Sequence, residues 1–317
     1  MRKTCLILIF FCLSGCLETD KAKRIFGESM GTTYSINVLG DERVQQRAID
    51  QRLLEINALF STWLPDSEIS RLNESPIGEW IQVSDEFLQL LKTSETIYIQ
   101  TSGFFDPGIG RLIDLWGFGP KGGRTSVPQR DEIYQAFENA SIQYLEFGDG
   151  RVKKLRDIHL NLSAIAKGYA VDEIARFIEE AGVKDFLVEI GGEVYASGTN
   201  DSDEWMIGVE RPDNKAPILI TLNNTSVATS GNYRNYFIWE GEKYIHIFNP
   251  KTGLPANNDL ASVSVVHPRS AFADAYATAM MAMGSEAAIE LANELQLSVL
   301  LITIKDDNYE IIRINLE

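Results

Sequence analysis

Hydrophobic residues recur at helical spacing in several stretches of the chain. In the first stretch Ile49, Leu53, Ile56 and Phe60 follow one another every three or four residues, so they would share one face of a helix. The same pattern predicts helices at residues 44–60, 85–100, 131–139, 164–180 and 272–283, with a last helix after them. Ser84 precedes the second of these helices and is a suitable N-cap residue.

Shorter apolar or alternating stretches predict β-strands, and they are mixed irregularly with the helices. The predicted strands are residues 33–39, 186–190, 193–197, 205–209, 218–222, 236–239, 244–248 and 262–266. Residues 144–147 and 152–155 flank a Gly-Asp-Gly turn and predict a hairpin, and a second hairpin is predicted at the C-terminus. Residues 103–123, rich in glycine and aromatic residues, predict a folded loop. This order favours an α+β fold over a regular βαβ repeat.

The N-terminal segment predicts export. Arg2 and Lys3 give it a positive start, residues 4–13 are apolar, and Leu-Ser-Gly-Cys16 closes it. A short apolar core that follows positive charge and ends in small residues is typical of a secretory signal. The apolar run is too short for the roughly twenty residues that a spanning helix needs. The last four residues resemble a lipobox, in which the Cys16 thiol is diacylated and becomes the new N-terminus. The alternative is an ordinary secreted protein in which Cys16 is incidental.

Composition limits the function classes that remain. The chain has 317 residues, of which 44% are hydrophobic and 23% charged, which suits one large domain or two closely packed lobes. We predict a signal peptide at residues 1–15, a lipidated tether at residues 16–24 and one domain at residues 25–317. All three cysteines precede residue 17, so that domain has no disulfide or thiolate chemistry. The net charge of −16 argues against nucleic-acid binding and is compatible with a divalent cation site.

Asp274 and Thr278 are candidate metal ligands. They stand at positions i and i+4 of a predicted helix, so they share one face among alanines and methionines. Burying them without a partner would be costly, and hard oxygen ligands suit Mg²⁺. The alternative is an aspartate that offsets the dipole at the start of the helix, followed by an inert threonine.

Two glycine- or lysine-containing segments are candidate ligand contacts. Residues 161–172 run from a strand through a polar turn into a helix, whose first amides can hold an anion, and Lys167 adds a positive charge there. An N-cap serine followed by a surface lysine would give the same pattern. Gly191 and Gly192 permit either a tight turn between two strands or a close approach of backbone to a ligand. Residues 229–233 predict a polar turn before another strand.

His246 is a candidate general base. It alternates with apolar residues until a Pro/Gly turn, and imidazole titrates near neutrality, so it could take a proton or contact a phosphate. The alternative is a structural histidine whose hydrogen bonds are satisfied. The chain has no Ser-His-Asp spacing, zinc cluster or GxGxxG motif.

Seven short motifs follow one another along the chain, and their order carries a resemblance to a known family. They are FSTWLPDSEISRLN at 60–73, SGFFDP at 102–107, AKGY at 166–169, IGG at 190–192, TSG at 229–231, HIFNPKTG at 246–253 and ADAYAT at 273–278. Together they closely resemble the ApbE family of FAD:protein FMN transferases. The resemblance covers about residues 26–301 and extends to the lipoprotein signal that many members carry.

The resemblance implies a two-lobed α+β fold, related to the T-fold. A single FMN transferase catalytic domain at residues 25–317 would hold FAD between the lobes, with Mg²⁺ at the FAD pyrophosphate. It implies transfer of FMN from FAD to a Thr or Ser hydroxyl of an acceptor protein, with release of AMP. The expected acceptors are exported redox proteins. The expected location is the periplasmic or other extracytoplasmic face of the bacterial cell envelope, on the inner or outer membrane, with Cys16 as the lipid anchor.

The resemblance also implies roles for individual residues. The Mg²⁺ ligands would be Asp274, Thr278 and the main-chain oxygen of Ala164. His246 would be the catalytic base, and Lys167 would offset charge on the transferred phosphoryl oxygens. The expected contacts to FAD are Met30, Trp63, Phe104, Phe105, Asp106, Asn161, Lys167 and Phe248.

The chain departs from the family pattern at two positions, and two other activities are compatible with the same residues. Many members carry Asp where this chain has Asn161, which keeps an acceptor oxygen but loses a charge at its expected contact to FAD. Some members carry a second Asp at the position of Ala277, so metal ligation here would rest more heavily on Asp274. One alternative activity is a Mg²⁺-dependent FAD pyrophosphatase, in which water replaces the acceptor hydroxyl. The other is a non-catalytic flavin-binding lipoprotein, although storage needs no activated pyrophosphate.

Overall fold

The structure is a computed structural model that describes residues 23–39, 43–120, 122–123, 126–233, 235–306 and 308–316. The predicted signal peptide and Cys16 lie outside these residues. The α-helices are α1 (Gln46–Phe60), α2 (Glu68–Glu74), α3 (Asp85–Gln100), α4 (Gly110–Leu115), α5 (Arg130–Phe137), α6 (Ala166–Glu180), α7 (Ser270–Met283) and α8 (Ser285–Glu294). No helix in this part of the chain combines the length and the hydrophobicity that crossing a bilayer requires.

The strands fall into one large sheet and several small ones. Those of the first half are β1 (Lys23–Ser29), β2 (Thr32–Val38), β3 (Trp80–Gln82), β4 (Leu145–Gly148), β5 (Arg151–Lys154), β6 (Phe186–Ile190), β7 (Glu193–Ser197), β8 (Thr199–Asn200) and β9 (Asp203–Val209). Those that follow are β10 (Ile218–Leu222), β11 (Thr225–Gly231), β12 (Tyr236–Trp239), β13 (Glu242–Ile245), β14 (Phe248–Asn249), β15 (Leu254–Pro255), β16 (Leu260–His267), β17 (Ser298–Lys305) and β18 (Asn308–Ile314). The first strand therefore includes Lys23 and Arg24, the last two residues of the predicted tether.

The large sheet has eight strands in the order β1-β2-β6-β7-β11-β16-β17-β18, and every neighbouring pair is antiparallel. Its strands alternate between two apolar clusters because successive side chains point to opposite faces. In β17, Val299 and Leu301 belong to the principal apolar cluster, which includes residues of α1, α6, α7 and α8, whereas Leu300 and Ile302 belong to a second cluster on the opposite face. That opposite face is covered by the small sheet β10-β9-β8 through Trp205 and neighbouring residues.

A third apolar cluster forms a smaller lobe. It contains Ile109, Leu112 and Trp116 from α4 and the segments around it, together with Phe248 of β14. Phe237 and Tyr244, from the hairpin β12–β13, pack against this cluster. The chain is thus one domain with a principal core and a smaller lobe, and the predicted α+β fold is confirmed.

Most predicted elements are confirmed, with ends that differ by a few residues. The predicted helices correspond to α1, α3, α5, α6, α7 and α8, and the Ser84 hydroxyl accepts the N–H of Phe87 at 3.2 Å as the expected N-cap. The predicted Gly-Asp-Gly hairpin is β4–β5. Gly191 and Gly192 form the turn between β6 and β7 with φ values of 62° and 103°, a conformation that favours glycine.

Three predictions differ from the structure, and several elements were not predicted. Residues 103–123 are not irregular throughout, because Leu112 and its neighbours form the short helix α4, which belongs to the smaller lobe. The predicted strand at 244–248 is interrupted at His246 and Ile247, between β13 and β14. Residues 229–231 are not a turn but the end of the central strand β11, whose neighbours are β7 and β16. The helix α2 and the strands β1 and β3 were not predicted, since each is short or lacks a clear apolar period.

Candidate active site

A cavity of about 1210 Å³ lies where the principal core meets the smaller lobe. Its wall is formed by the β1–β2 turn, the loop that follows α3, the start of α6 and the β6–β7 turn. Strand β9, the end of β11, the break between β13 and β14, and one face of α7 complete it. The predicted site residues that line the cavity are Met30, Phe104, Phe105, Asp106, Asn161, Ala164, Lys167, His246, Phe248, Asp274 and Thr278. Trp63 is the exception, since its side chain is 64% exposed and does not line the cavity.

The two candidate metal ligands of α7 are brought to the cavity by close packing of α6 on α7. Gly168 makes this possible, because a Cβ there would collide with the backbone of Ser270 and Ala271. The Gly168 N–H donates to Asp274 Oδ2 at 3.0 Å. Thr278, one turn along the same helix, shares a hydrogen bond of 3.1 Å with the Ser230 hydroxyl at the end of β11.

A buried charge cluster joins α6, α7 and β7. Lys167 Nζ lies 2.5 Å from Glu193 Oε1 and 4.0 Å from Asp274 Oδ1. Both carboxylates are buried, and no protein group hydrogen-bonds to Glu193 Oε2 among the residues that the structure describes. With both carboxylates ionised the cluster would carry one net negative charge, which favours a cation or a proton nearby.

The pKa values in this cluster reflect burial and charge together. Burial raises the pKa of Glu193 to about 7, with Lys167 opposing and Asp274 adding to the shift. Burial also raises the pKa of Asp274, against the effects of Lys167 and the Gly168 N–H. For Lys167 burial lowers the pKa, but the charges of Asp274 and Glu193 outweigh burial and leave the pKa above its ordinary value. The lysine is therefore a fixed positive charge at neutral pH.

Glu193 is not among the site residues that the sequence predicts. Its signal in the sequence is an acidic residue directly after two glycines, at the first position of a strand whose other residues are uncharged. Charged residues are almost never fully buried unless they are paired, so that position in a core strand indicates a partner. The partner, Lys167, lies on a different element, and only the fold identifies it.

His246 sits in the break between β13 and β14 and lines the cavity. Its Nδ1 lies 3.1 Å from the backbone carbonyl of Asn235. A carbonyl only accepts, so Nδ1 carries the hydrogen and Nε2 keeps a lone pair. Burial, together with the charge of Lys167, holds the pKa of His246 below its ordinary value in spite of the bond to Asn235. The imidazole is therefore neutral at pH 7 and able to accept a proton.

Asp106 and Asn161 both organise the loops that form one wall of the cavity. Asp106 Oδ1 accepts the N–H groups of Gly108 and Ile142, each at 2.8 Å, and burial raises its pKa to about 6. Asn161 Oδ1 accepts the N–H of Ser163 at 2.9 Å, which turns the chain toward α6. Both residues line the cavity, and their contacts to FAD stay predictions.

The oxygen atoms at the cavity fit a hard divalent cation. No cluster of three or more His, Cys, Asp or Glu side chains exists within the described residues. Asp274, Thr278 and Ala164 instead offer one carboxylate, one hydroxyl and one carbonyl, and Mg²⁺ commonly takes one or two carboxylates and completes its shell with water and phosphate. The unpartnered Glu193 Oε2 adds a second negative group to the same cavity.

A family model for the ApbE family matches residues 30–301. The chain belongs to the ApbE family. This match covers every predicted site residue of the chain except Cys16, and the family prediction from the seven motifs is confirmed.

Curated relatives and solved structures agree with this assignment. A FAD:protein FMN transferase of Vibrio cholerae is 35% identical over 94% of this chain and 92% of its own length. Its counterpart in Escherichia coli K12 is 30% identical over 90% of this chain and 85% of its own length. Among solved structures, the flavin transferase ApbE from Vibrio cholerae has a TM-score of 0.86 at 33% identity, covering 93% of this chain and 97% of that one. The apo flavinyl transferase ApbE of Pseudomonas stutzeri has a TM-score of 0.87 at 30% identity, covering 94% and 96%.

Proposed function

We propose that this member of the ApbE family transfers FMN from FAD to a Thr or Ser hydroxyl of an acceptor protein and releases AMP. FAD and a protein acceptor appear in the names of its relatives. The observation that carries the proposal is one cavity in which the charge cluster of Lys167, Glu193 and Asp274 meets the neutral His246. A fixed cation, buried carboxylates and a base are what displacement at a pyrophosphate requires.

In this mechanism the acceptor hydroxyl oxygen bonds to the phosphorus that bears the riboflavin arm. The bond from that phosphorus to the bridging oxygen breaks, and AMP leaves with the electron pair. His246 accepts the hydroxyl proton at Nε2, because Nδ1–H is held by the Asn235 carbonyl. Lys167 lies at the start of α6, where its ammonium stabilises negative charge on the phosphoryl oxygens. Phe104 and Phe248 supply apolar surface for the flavin or adenine rings.

Asp274, Thr278 and the carbonyl of Ala164 would hold a Mg²⁺ ion in this proposal. Such an ion, when bound, neutralises pyrophosphate charge and stabilises the leaving phosphate. Glu193 contributes by holding Lys167, so that the ammonium does not close directly on Asp274, 4.0 Å away. The aspartate is thereby left available for a ligand from the cavity.

The test is an assay of AMP release and covalent flavin. Purified protein is incubated with FAD and Mg²⁺, with and without an acceptor domain that contains a candidate threonine, and the acceptor is examined by in-gel flavin fluorescence. We expect fluorescence in the acceptor and an equal amount of AMP. Asp274→Ala should abolish both, whereas Asp131→Ala, an exposed residue at the start of α5, should leave both unchanged.

Other outcomes of the same assay would support other functions. Release of AMP and free FMN without labelling of the acceptor would favour the FAD pyrophosphatase. FAD binding without turnover would favour a flavin-binding lipoprotein. Full Mg²⁺-dependent activity in the Asp274→Ala protein would show that the metal assignment is wrong.

We further propose that the mature protein is anchored through lipid on Cys16 at the extracytoplasmic face of the bacterial envelope. The support is the positively charged, apolar and small-residue pattern that ends at Cys16. Cells fed an alkyne fatty acid should label the native chain and the Cys12→Ala control but not Cys16→Ala. Equal labelling of both variants would contradict the assignment.

A further inference from the structure

Strand β9 has one open edge in the part of the chain that the structure describes. On one side its residues Trp205–Val209 pair with β10. On the other side β8 pairs only with Asp203 and Glu204. From Met206 to Val209 that second edge therefore has no strand partner among the described residues. Open edges present rows of backbone donors and acceptors and are templates for pairing with another chain.

The open edge faces the active-site cavity. Five consecutive residues line the cavity, namely the last four of β9 and Glu210, which follows the strand. Side chains alternate between the two faces of a strand, so a strand seen face-on contributes every second residue. Strand β6 does this, since it contributes Leu187 and Glu189 to the same cavity. An unbroken run of five residues instead indicates that β9 presents its backbone edge.

The turn between β8 and β9 decides which backbone groups point to that edge. Its two central residues, Asp201 and Ser202, have φ values of 50° and 82°, as in a type I′ turn. In such a two-residue hairpin the flanking pair, here Asn200 and Asp203, exchanges both hydrogen bonds. Alternation along β9 then directs the N–H and C=O groups of every second residue after Asp203 toward the open edge. Ile207 and Val209 are among them, whereas the same alternation directs the N–H and C=O groups of Met206 and Gly208 toward β10, where these residues lie opposite Thr221 and Leu219.

We propose that an extended segment of the acceptor protein adds to β9 as a further strand and so carries its Thr or Ser hydroxyl into the cavity. This inference rests on the proposed FMN transfer, in which a protein acceptor must reach the same cavity as FAD. Strand addition supplies affinity through main-chain hydrogen bonds. The side chains of the added strand point to its two faces and can be recognised there by the enzyme. Leu187 and Glu189 of β6 line the same cavity and are available to contact such side chains.

An extended polypeptide matches this edge better than a nucleotide does. The outward groups of Ile207 and Val209 repeat every second residue, a spacing of about 6.6–6.8 Å. An added strand repeats its own donors and acceptors at that spacing, whereas FAD offers donors and acceptors at isolated points. Main-chain pairing also accepts many sequences, so selection of the modified residue is left to the contacts of its neighbours.

The experiment compares Ile207→Pro with Ile207→Ala in the full-length protein. Proline removes the outward N–H of residue 207 and spares the ladder to β10, and alanine controls for the lost side chain. We expect the acceptor KM of Ile207→Pro to rise about 10-fold or more above that of Ile207→Ala, as loss of main-chain hydrogen bonds predicts. The dissociation constant for FAD, measured by quenching of flavin fluorescence, should stay the same in both variants.

Hydrogen exchange on the native chain gives a second measurement that does not depend on the proline variant folding. Amides in a peptide that spans residues 205–210 should exchange more slowly when the acceptor is added and not when FAD alone is added. Equal acceptor KM values in the two variants, or protection by FAD alone, would overturn the proposal while leaving FMN transfer intact. Failure of the native chain to label any acceptor would instead overturn the proposed function, and the strand addition with it.

Discussion

Replacing Glu193 by glutamine removes the negative charge that the ionised carboxylate contributes to the buried cluster. The volume of the side chain stays nearly the same. The side chain is 2% exposed, and its Oε1 lies 2.5 Å from Lys167 Nζ. Glutamine cannot neutralise that ammonium, and Asp274, at 4.0 Å, is then its nearest carboxylate. We expect Lys167 to move toward Asp274 and to compete with any cation that the aspartate binds.

The magnitude follows from the distances. Two unit charges 4 Å apart attract by about 4 kcal/mol at an effective dielectric constant of about 20. The Lys167 side chain is 30% exposed, so solvent screens part of this attraction. Loss of a group that supports a metal ligand typically weakens metal affinity by about 10–100-fold, which corresponds to about 1.4–2.7 kcal/mol. We expect the effect of Glu193→Gln to fall in that range.

The assay is AMP release from FAD as a function of Mg²⁺ concentration, with the unfolding midpoint measured in parallel. Glu189→Gln is the matched control, because Glu189 lines the same cavity but its Oε1 accepts the N–H of Gly192 at 2.8 Å. The half-saturating Mg²⁺ concentration should rise for Glu193→Gln and not for the control. Equal Mg²⁺ requirements in two folded variants would refute the reasoning.

Three further predictions concern stability and catalysis. Burial raises the pKa of Asp172 from 3.8 to about 6, so this group's stabilisation is lost as pH rises through that window. The free energy of unfolding, measured in urea, should therefore decline from pH 4 to pH 7. In the Asp172→Asn variant this decline should be smaller by up to about 3 kcal/mol. Gly168→Ala, which sets a methyl against the Ser270 carbonyl, should lower the free energy of unfolding by about 1–3 kcal/mol, whereas Gly123→Ala, in open space, should not. His246→Gln should slow AMP release roughly 10²–10⁴-fold without changing FAD affinity.

Much of the fold could be predicted because local periodicity and burial agree in the long elements. Helices α1 and α6 have one apolar stripe each, and their buried residues are those that the helical spacing selects. The site residues on α7, Asp274 and Thr278, could also be predicted, since helical geometry alone places them on one face. Lys167 and His246 could be proposed from their local pattern, and the family resemblance added the other site residues. Nine of the ten site residues from Met30 to Phe248 line one cavity with Asp274 and Thr278, and Trp63 does not line it.

Tertiary structure decided what local pattern could not. Thr229 and Ser230 look like turn residues, yet they complete the central strand β11, because they pair with Ser264 and Val263 of β16 and because α7 packs closely on β11, which favours small side chains. Glu193 and Lys167 are 26 residues apart in the sequence, and only the packing of α6 against β7 brings them together as an ion pair.

The sequence by itself determined the periodic elements, the order of the motifs and the export pattern that ends at Cys16, because each depends on neighbours along the chain. Only the tertiary structure decided that Glu193 forms an ion pair with Lys167 and that the open edge of β9 lies at the cavity. The physical reason is that buried charge and strand pairing are satisfied by distant residues, whose positions depend on the packing of the whole domain.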